Sequence, residues 1–186
     1  STPEECTFHV LSGTIHGSLC NKLLRTSIIK NHNIFPIEGL GVGEDKLVLL
    51  EYLQYVKKIS FVSEALYIYN KTNSQSITSQ TRARLSHSFI EIVELTDKLF
   101  ANFKVTDIIA KGILNYKALV LGHLLLYDNN NLLNEYKDLF SSVTISTVIR
   151  QPAMPLHYKM VVLAHLLHIP CIDWGLRYAL YLKNRF

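Results

Sequence analysis

The sequence predicts an α+β protein that is mainly α-helical, with one or two short strands inside residues 1–80 and helices alone over residues 81–186. Three observations carry this. Apolar residues recur at three- and four-residue intervals through much of the chain, as in Leu47, Leu50, Leu53 and Val56. Two β-branched and aromatic runs, residues 59–62 and 66–69, lie close together around Ser63-Glu64-Ala65. The polar stretch 70–81 then separates this mixed region from the helical one and is the best domain boundary. With 186 residues, 48% hydrophobic and 18% charged, the chain has ample material for a core and too little charge to stay disordered.

Residues 19–30 place Leu19, Leu23, Leu24, Ile28 and Ile29 on one side of a short helix that Asn31-His32-Asn33 ends. A loop over 34–43 holds Phe35-Pro36 and glycines 39, 41 and 43. The next helix spans 44–57, with Glu44 and Asp45 in its first turn and Lys57-Lys58 at its last, charges that suit the helix dipole. Beyond the boundary, Leu85, Phe89, Ile92, Leu99 and Phe103 mark a helical stripe. Thr106 is the expected N-cap of a helix running to Tyr127, which Asn129-Asn130-Asn131 breaks. Residues 132–140 form a shorter helix, Pro152 and Pro155 precede one over 156–168, and Pro170 precedes a last one over 172–183. Leu121-Gly122-His123-Leu124-Leu125 and Leu163-Ala164-His165-Leu166-Leu167 repeat one pattern, but two copies fall short of a helical repeat. Leucine at this spacing reads as core rather than as a docking motif.

Composition excludes several function classes. Lys and Arg number 19 against 15 acids, a net +4, yet they form pairs such as Lys57-Lys58 rather than one stripe, so no nucleic-acid partner is expected. Cys6, Cys20 and Cys171 are odd in number and lack CxxC spacing, which argues against a disulfide framework or a zinc site and for a reducing compartment. Neither His9 with His16 nor His165 with His168 completes a metal set. The near-apolar runs 118–127 and 160–167 are shorter than the roughly 20 residues that span a bilayer, so no transmembrane helix is expected. Ser1-Thr2-Pro3-Glu4-Glu5 is acidic and polar where a secretory signal begins basic and turns apolar, and the chain starts as abruptly as an excised piece would.

The glycine-rich loop 39–43 departs from both dinucleotide-binding and P-loop spacing. Glu44 and Asp45 would moreover repel a phosphate at the helix end that follows. Two readings of the acidic pair remain: a solvent-facing helix start, which spacing alone favours, or carboxylates at the rim of a cleft, one of them a general base.

Several motifs then fall in one order. Cys20-Asn21-Lys22-Leu23-Leu24-Arg25, Ile34-Phe35-Pro36, Gly43-Glu44-Asp45, Lys57-Lys58-Ile59, Ala65-Leu66-Tyr67-Ile68-Tyr69 and Ser76-Ile77-Thr78 resemble the C-terminal half of a family 2 glycosyltransferase, over residues 14–79. The resemblance implies the C-terminal part of a GT-A-like α/β core in residues 1–80, followed by an all-helical subdomain in 81–186. It implies inverting transfer of a sugar from a nucleotide-diphosphate donor to an acceptor hydroxyl, with Asp45 as base and Glu44 arranging the acceptor side. Asn21, Lys22, Lys71 and Ser76 are the implied substrate-binding residues.

In that family a divalent metal, Mg or Mn, meets the charge on the leaving nucleotide and is held by an upstream DxD. No DxD occurs here. The resemblance therefore implies that the full-length enzyme binds metal and nucleotide sugar, while these 186 residues bind neither and are inactive alone. It further implies a carbohydrate or lipid-linked acceptor and a cytoplasmic setting, peripheral at the inner membrane face. The tail could complete the acceptor cleft, form a homodimer, or rest on a membrane through Arg177, Lys183 and Arg185 among Tyr178, Leu180, Tyr181, Leu182 and Phe186. The alternative from another class is a noncatalytic helical interaction module, which the two LxxLL segments and the helix-rich second half suit.

Overall fold

A computed structural model of the chain describes residues 2–40, 42–68, 85–127 and 132–169. Thr2 starts the first helix, α1 (Pro3–Leu11): its hydroxyl accepts from Glu5 N–H at 3.1 Å, and Glu5 Oε2 accepts from Thr2 N–H at 2.8 Å. This reciprocal pair satisfies two of the donors that a helix start leaves open. The polar N-terminal residues thus begin a helix that the apolar pattern does not announce, and that helix buries Cys6, Val10 and Leu11.

Those residues pack on the long helix α5 (Asp107–Tyr127). At Gly112 a Cβ would stand 3.3 Å from Phe8 Cα and 3.0 Å from Leu11 Cδ1, so the glycine lets the two backbones close up. α5 is the hub, because α1, α4 (Ser86–Ala101) and α8 (Leu156–Leu166) all lean on it. α3 (Glu44–Leu53) fills the side between α1 and α4. Shorter pieces complete the set: α2 (Thr26–His32), α6 (Leu132–Glu135), a 3₁₀ turn at Lys137–Phe140, and α7 (Ile145–Arg150). One apolar cluster runs through the helices, from Cys6 by way of Leu50, Ile92, Leu121 and Phe140 to Val162.

The expected fold class is corrected. Among the described residues there is no strand, so the α+β assignment with a GT-A-like α/β core gives way to a helical fold of eight α-helices, 61% helical. Residues 59–62 and 66–68 leave Phe61, Val62, Leu66 and Ile68 in solvent. β-branched and aromatic residues make a strand only when an edge pairs with their backbone and a layer covers one face. The described residues offer no such edge.

Other boundaries move for local reasons. The helix expected from residue 19 begins only at Thr26: ahead of it Leu19 N–H donates to Asp45 of the next helix, and Lys22 Nζ binds the nearby His16 and Ser18 carbonyls. It ends as the sequence indicates, with Asn33 in the left-handed region at φ 53°. α3 stops at Leu53, which leaves Lys57 and Lys58 exposed beyond its end. Thr106 does precede α5, and its carbonyl accepts from Ala110 N–H at 2.9 Å, but its hydroxyl is buried with no hydrogen-bond partner rather than capping the helix. Leu121, Leu124 and Leu125 are core, as leucine at that spacing implies.

α5 extends well beyond the apolar run 118–127. Its 21 residues are long and apolar enough to cross a bilayer by length and composition, although 61% of its apolar window is buried inside the fold. The proposed boundary at 70–81, the break at 129–131 and the last helix at 172–183 lie outside the described residues.

Candidate functional site

Glu44 and Asp45 form the first turn of α3, and Gly43 sets how that turn begins. Its φ of +86° lies in the left-handed region, and a Cβ there would collide with the Ile92 side chain of α4. Only glycine fits both demands without strain. The start of α3 is therefore held against α4, with the acidic pair partly buried.

The loop of residues 16–22 lies directly on this turn. A Cβ at Gly17 would stand 2.9 Å from Lys46 Cβ and 3.2 Å from Lys46 Cα. Leu19 N–H donates to Asp45 Oδ2 at 3.2 Å, which fixes one carboxylate oxygen. Lys22 Nζ holds the loop in shape by donating to the His16 carbonyl at 2.8 Å, the Ser18 carbonyl at 2.6 Å and Asn21 Oδ1 at 2.8 Å. These bonds employ all three of its protons. Burial pushes the Lys22 ammonium down from its usual value, while Cys6, Cys20 and Asp45 nearby pull it up.

A third segment reaches the same place. The exposed Cys20 thiol is drawn below its usual range by hydrogen bonds from Ser18 and from Tyr67. The loop bearing Asn21 and Lys22, the acidic turn of α3 and the start of the 65–69 segment are thus neighbours in space. Underneath, Ile34 is buried with Val48 and Tyr52, and Arg25 N–H donates to the Tyr52 hydroxyl at 2.8 Å. That packing ties the Phe35-Pro36 loop and α2 to the outer side of α3.

The acidic pair is unequal. Asp45 has one oxygen held by Leu19, whereas Glu44 Oε2 is buried with no hydrogen-bond partner. A buried carboxylate oxygen without a donor is costly. Among the described residues no group of three or more His, Cys, Asp or Glu is arranged to hold a metal ion. Lys71 and Ser76 lie outside the described residues.

Sequence spacing could not reveal two features. Lys46 sits with its ammonium 4.0 Å from the Tyr116 ring centre, and burial pushes its pKa down to about 8. Tyr67 contacts Cys20 across 47 positions of chain, a pairing that no local pattern encodes. Elsewhere, His123 has the Ser86 hydroxyl and the Tyr158 hydroxyl each at 3.5 Å from a ring nitrogen, edge-on to Phe89. Ser86 is buried there, so this group lacks the access a nucleophile needs. A cleft of about 280 Å³ between α4 and Tyr136 is lined by His87, Glu91 and Glu94.

Comparison with family models, curated proteins and solved structures finds no match.

Proposed function

We propose that the chain carries the acceptor-activating part of an inverting sugar transferase that uses a nucleotide-diphosphate sugar as donor. Its acceptor is the hydroxyl of a carbohydrate or a lipid-linked carbohydrate. The observation that supports this best is the meeting of Cys20, Asp45 and Tyr67, which belong to three of the ordered motifs yet are far apart in sequence.

A sugar hydroxyl is a poor nucleophile at neutral pH, so a carboxylate within hydrogen-bond reach must take its proton as the new bond forms. Asp45 does this through Oδ1, while the Leu19 amide holds Oδ2 and fixes the plane of the group. The acceptor oxygen attacks the anomeric carbon opposite the leaving group. The bond from that carbon to the diphosphate breaks, the electron pair departs with the phosphate, and the configuration inverts. Glu44, the neighbouring carboxylate, arranges the acceptor side. Lys22 keeps the loop over the acidic turn, Asn21 braces Lys22, and Lys71 and Ser76 supply contacts from the following segment.

The test is transfer from labelled nucleotide sugars by the intact protein, wild type against Asp45→Asn. Loss of a catalytic base should lower kcat by about 10²-fold or more, with donor KM little changed. Wild-type rates in the Asn variant would remove Asp45 from the chemistry.

A further inference from the structure

We infer that the outer face of α7 and α8 is a docking surface for an anionic lipid bilayer. The charge of the chain is unevenly divided. Residues 1–138 hold 14 basic and 14 acidic side chains, so the whole +4 belongs to residues 139–186. There Arg150, Lys159, Arg177, Lys183 and Arg185 stand against Asp173 alone. The described part of that stretch contains no carboxylate side chain at all.

The same stretch exposes apolar side chains in a regular order. α7 exposes Ile145 and, one turn on, Ile149, which is 59% accessible. α8 exposes Leu156, at 72%, then Met160, and Leu167 just past its end. At 3.6 residues per turn, positions 156, 160 and 167 share a sector of about 40°. Lys159 Nζ donates to the Ile149 carbonyl at 2.9 Å, which ties α8 to the last turn of α7 and sets a cation between the two apolar pairs. Apolar side chains flanked by cations, with no acid among described residues 139–169, match the boundary where lipid phosphates meet acyl chains.

Charge also separates this occupant from a second copy of the chain. A two-fold interface through this face would bring Arg150 and Lys159 against their own duplicates, with no carboxylate among described residues 139–169 to answer them. An anionic lipid surface answers them directly. The inference uses none of the residues around Asp45, so it stands or falls apart from the transferase reading.

Co-sedimentation of the 186-residue chain with vesicles tests it. Binding is expected to vesicles of phosphatidylglycerol mixed with phosphatidylcholine, weakly to phosphatidylcholine alone, and less as salt rises. Both Leu156→Ser combined with Met160→Ser and, separately, Arg150→Glu should weaken binding about tenfold or more, at unchanged helicity and melting temperature. Four results would overturn it: no binding to the anionic vesicles, equal binding to both vesicle types, binding indifferent to both variants, or a solution dimer that the Leu156 and Met160 variant dissociates. The lipid dependence of the wild-type chain decides the matter even if a variant misfolds.

Discussion

Leu19 N–H and Asp45 Oδ2 meet at 3.2 Å across 26 positions, joining the loop of Asn21 and Lys22 to the first turn of α3. The bond gives the Asp45 carboxylate a structural task besides the proposed chemical one, and the two can be separated. Asp45→Ala leaves a partly buried N–H without an acceptor and should cost about 1–2 kcal/mol in urea unfolding. Asp45→Asn keeps an oxygen for Leu19 and should unfold within about 0.5 kcal/mol of wild type, a neutral acceptor replacing a charged one. Equal destabilisation by both would mean that the charge, rather than the acceptor, matters at this position.

Gly43 should tolerate no side chain. Its φ of +86° costs an L-residue about 1–2 kcal/mol, and the added methyl would strike Ile92. Gly43→Ala is expected to destabilise by about 2–4 kcal/mol in chemical denaturation. Because the nearest clashing atom is Ile92 Cδ1, Ile92→Val removes it, so the double variant should be more stable than the sum of the two single losses.

Lys46 gives a pH dependence with a defined sign. Burial holds its folded pKa at about 8, below the ordinary value of 10.5. Between these two values the unfolded chain binds more protons than the folded one, so this residue's contribution to stability rises with pH across that window. Below about pH 8 both states are protonated and the burial penalty is fully present. Lys46→Met should therefore raise the melting temperature at pH 7, with the advantage shrinking as pH climbs from about 8 to 10.5. Tyr116 should not confuse the comparison, because burial pushes its phenol upward, away from that window. A gain that is flat across the range would show that packing alone, rather than ionisation, separates the two side chains.

Thr106 carries a buried hydroxyl with no partner, so Thr106→Val should be neutral or stabilising, by up to about 1 kcal/mol in thermal unfolding. A loss greater than about 1 kcal/mol would mean that the hydroxyl is satisfied in solution.

Much of the helical order was legible in the sequence. The stripes of α3, α4 and α5, the stop at Asn33 and the start of α8 after Pro155 follow from spacing and from residues whose backbone preferences are local. Local signals also failed in identifiable ways. Thr2, Pro3 and Glu5 carry a capping signature, and the helix it starts, α1, is central to the core although the apolar periodicity does not mark it. Of the candidate site, the sequence offered the acidic pair and its neighbouring motifs, but neither the Lys46 ring contact nor the unequal surroundings of Glu44 and Asp45.

The sequence by itself determined the helical stripes of α3, α4 and α5 and which side chains are chemically capable, because periodicity, capping and composition act over a few residues. Tertiary structure decided what those segments do. Residues 59–62 have strand-forming side chains yet pair with nothing, since a strand is a relation to an edge and no edge is present among the described residues. Residues 19–25 have helical spacing yet form a loop, since Asp45 takes the Leu19 N–H and the Tyr52 hydroxyl takes the Arg25 N–H, partners that only folding brings near. The acidic turn became a candidate site for the same reason: Leu19 reaches it, and Tyr67 reaches the adjoining Cys20, only after the chain has closed on itself.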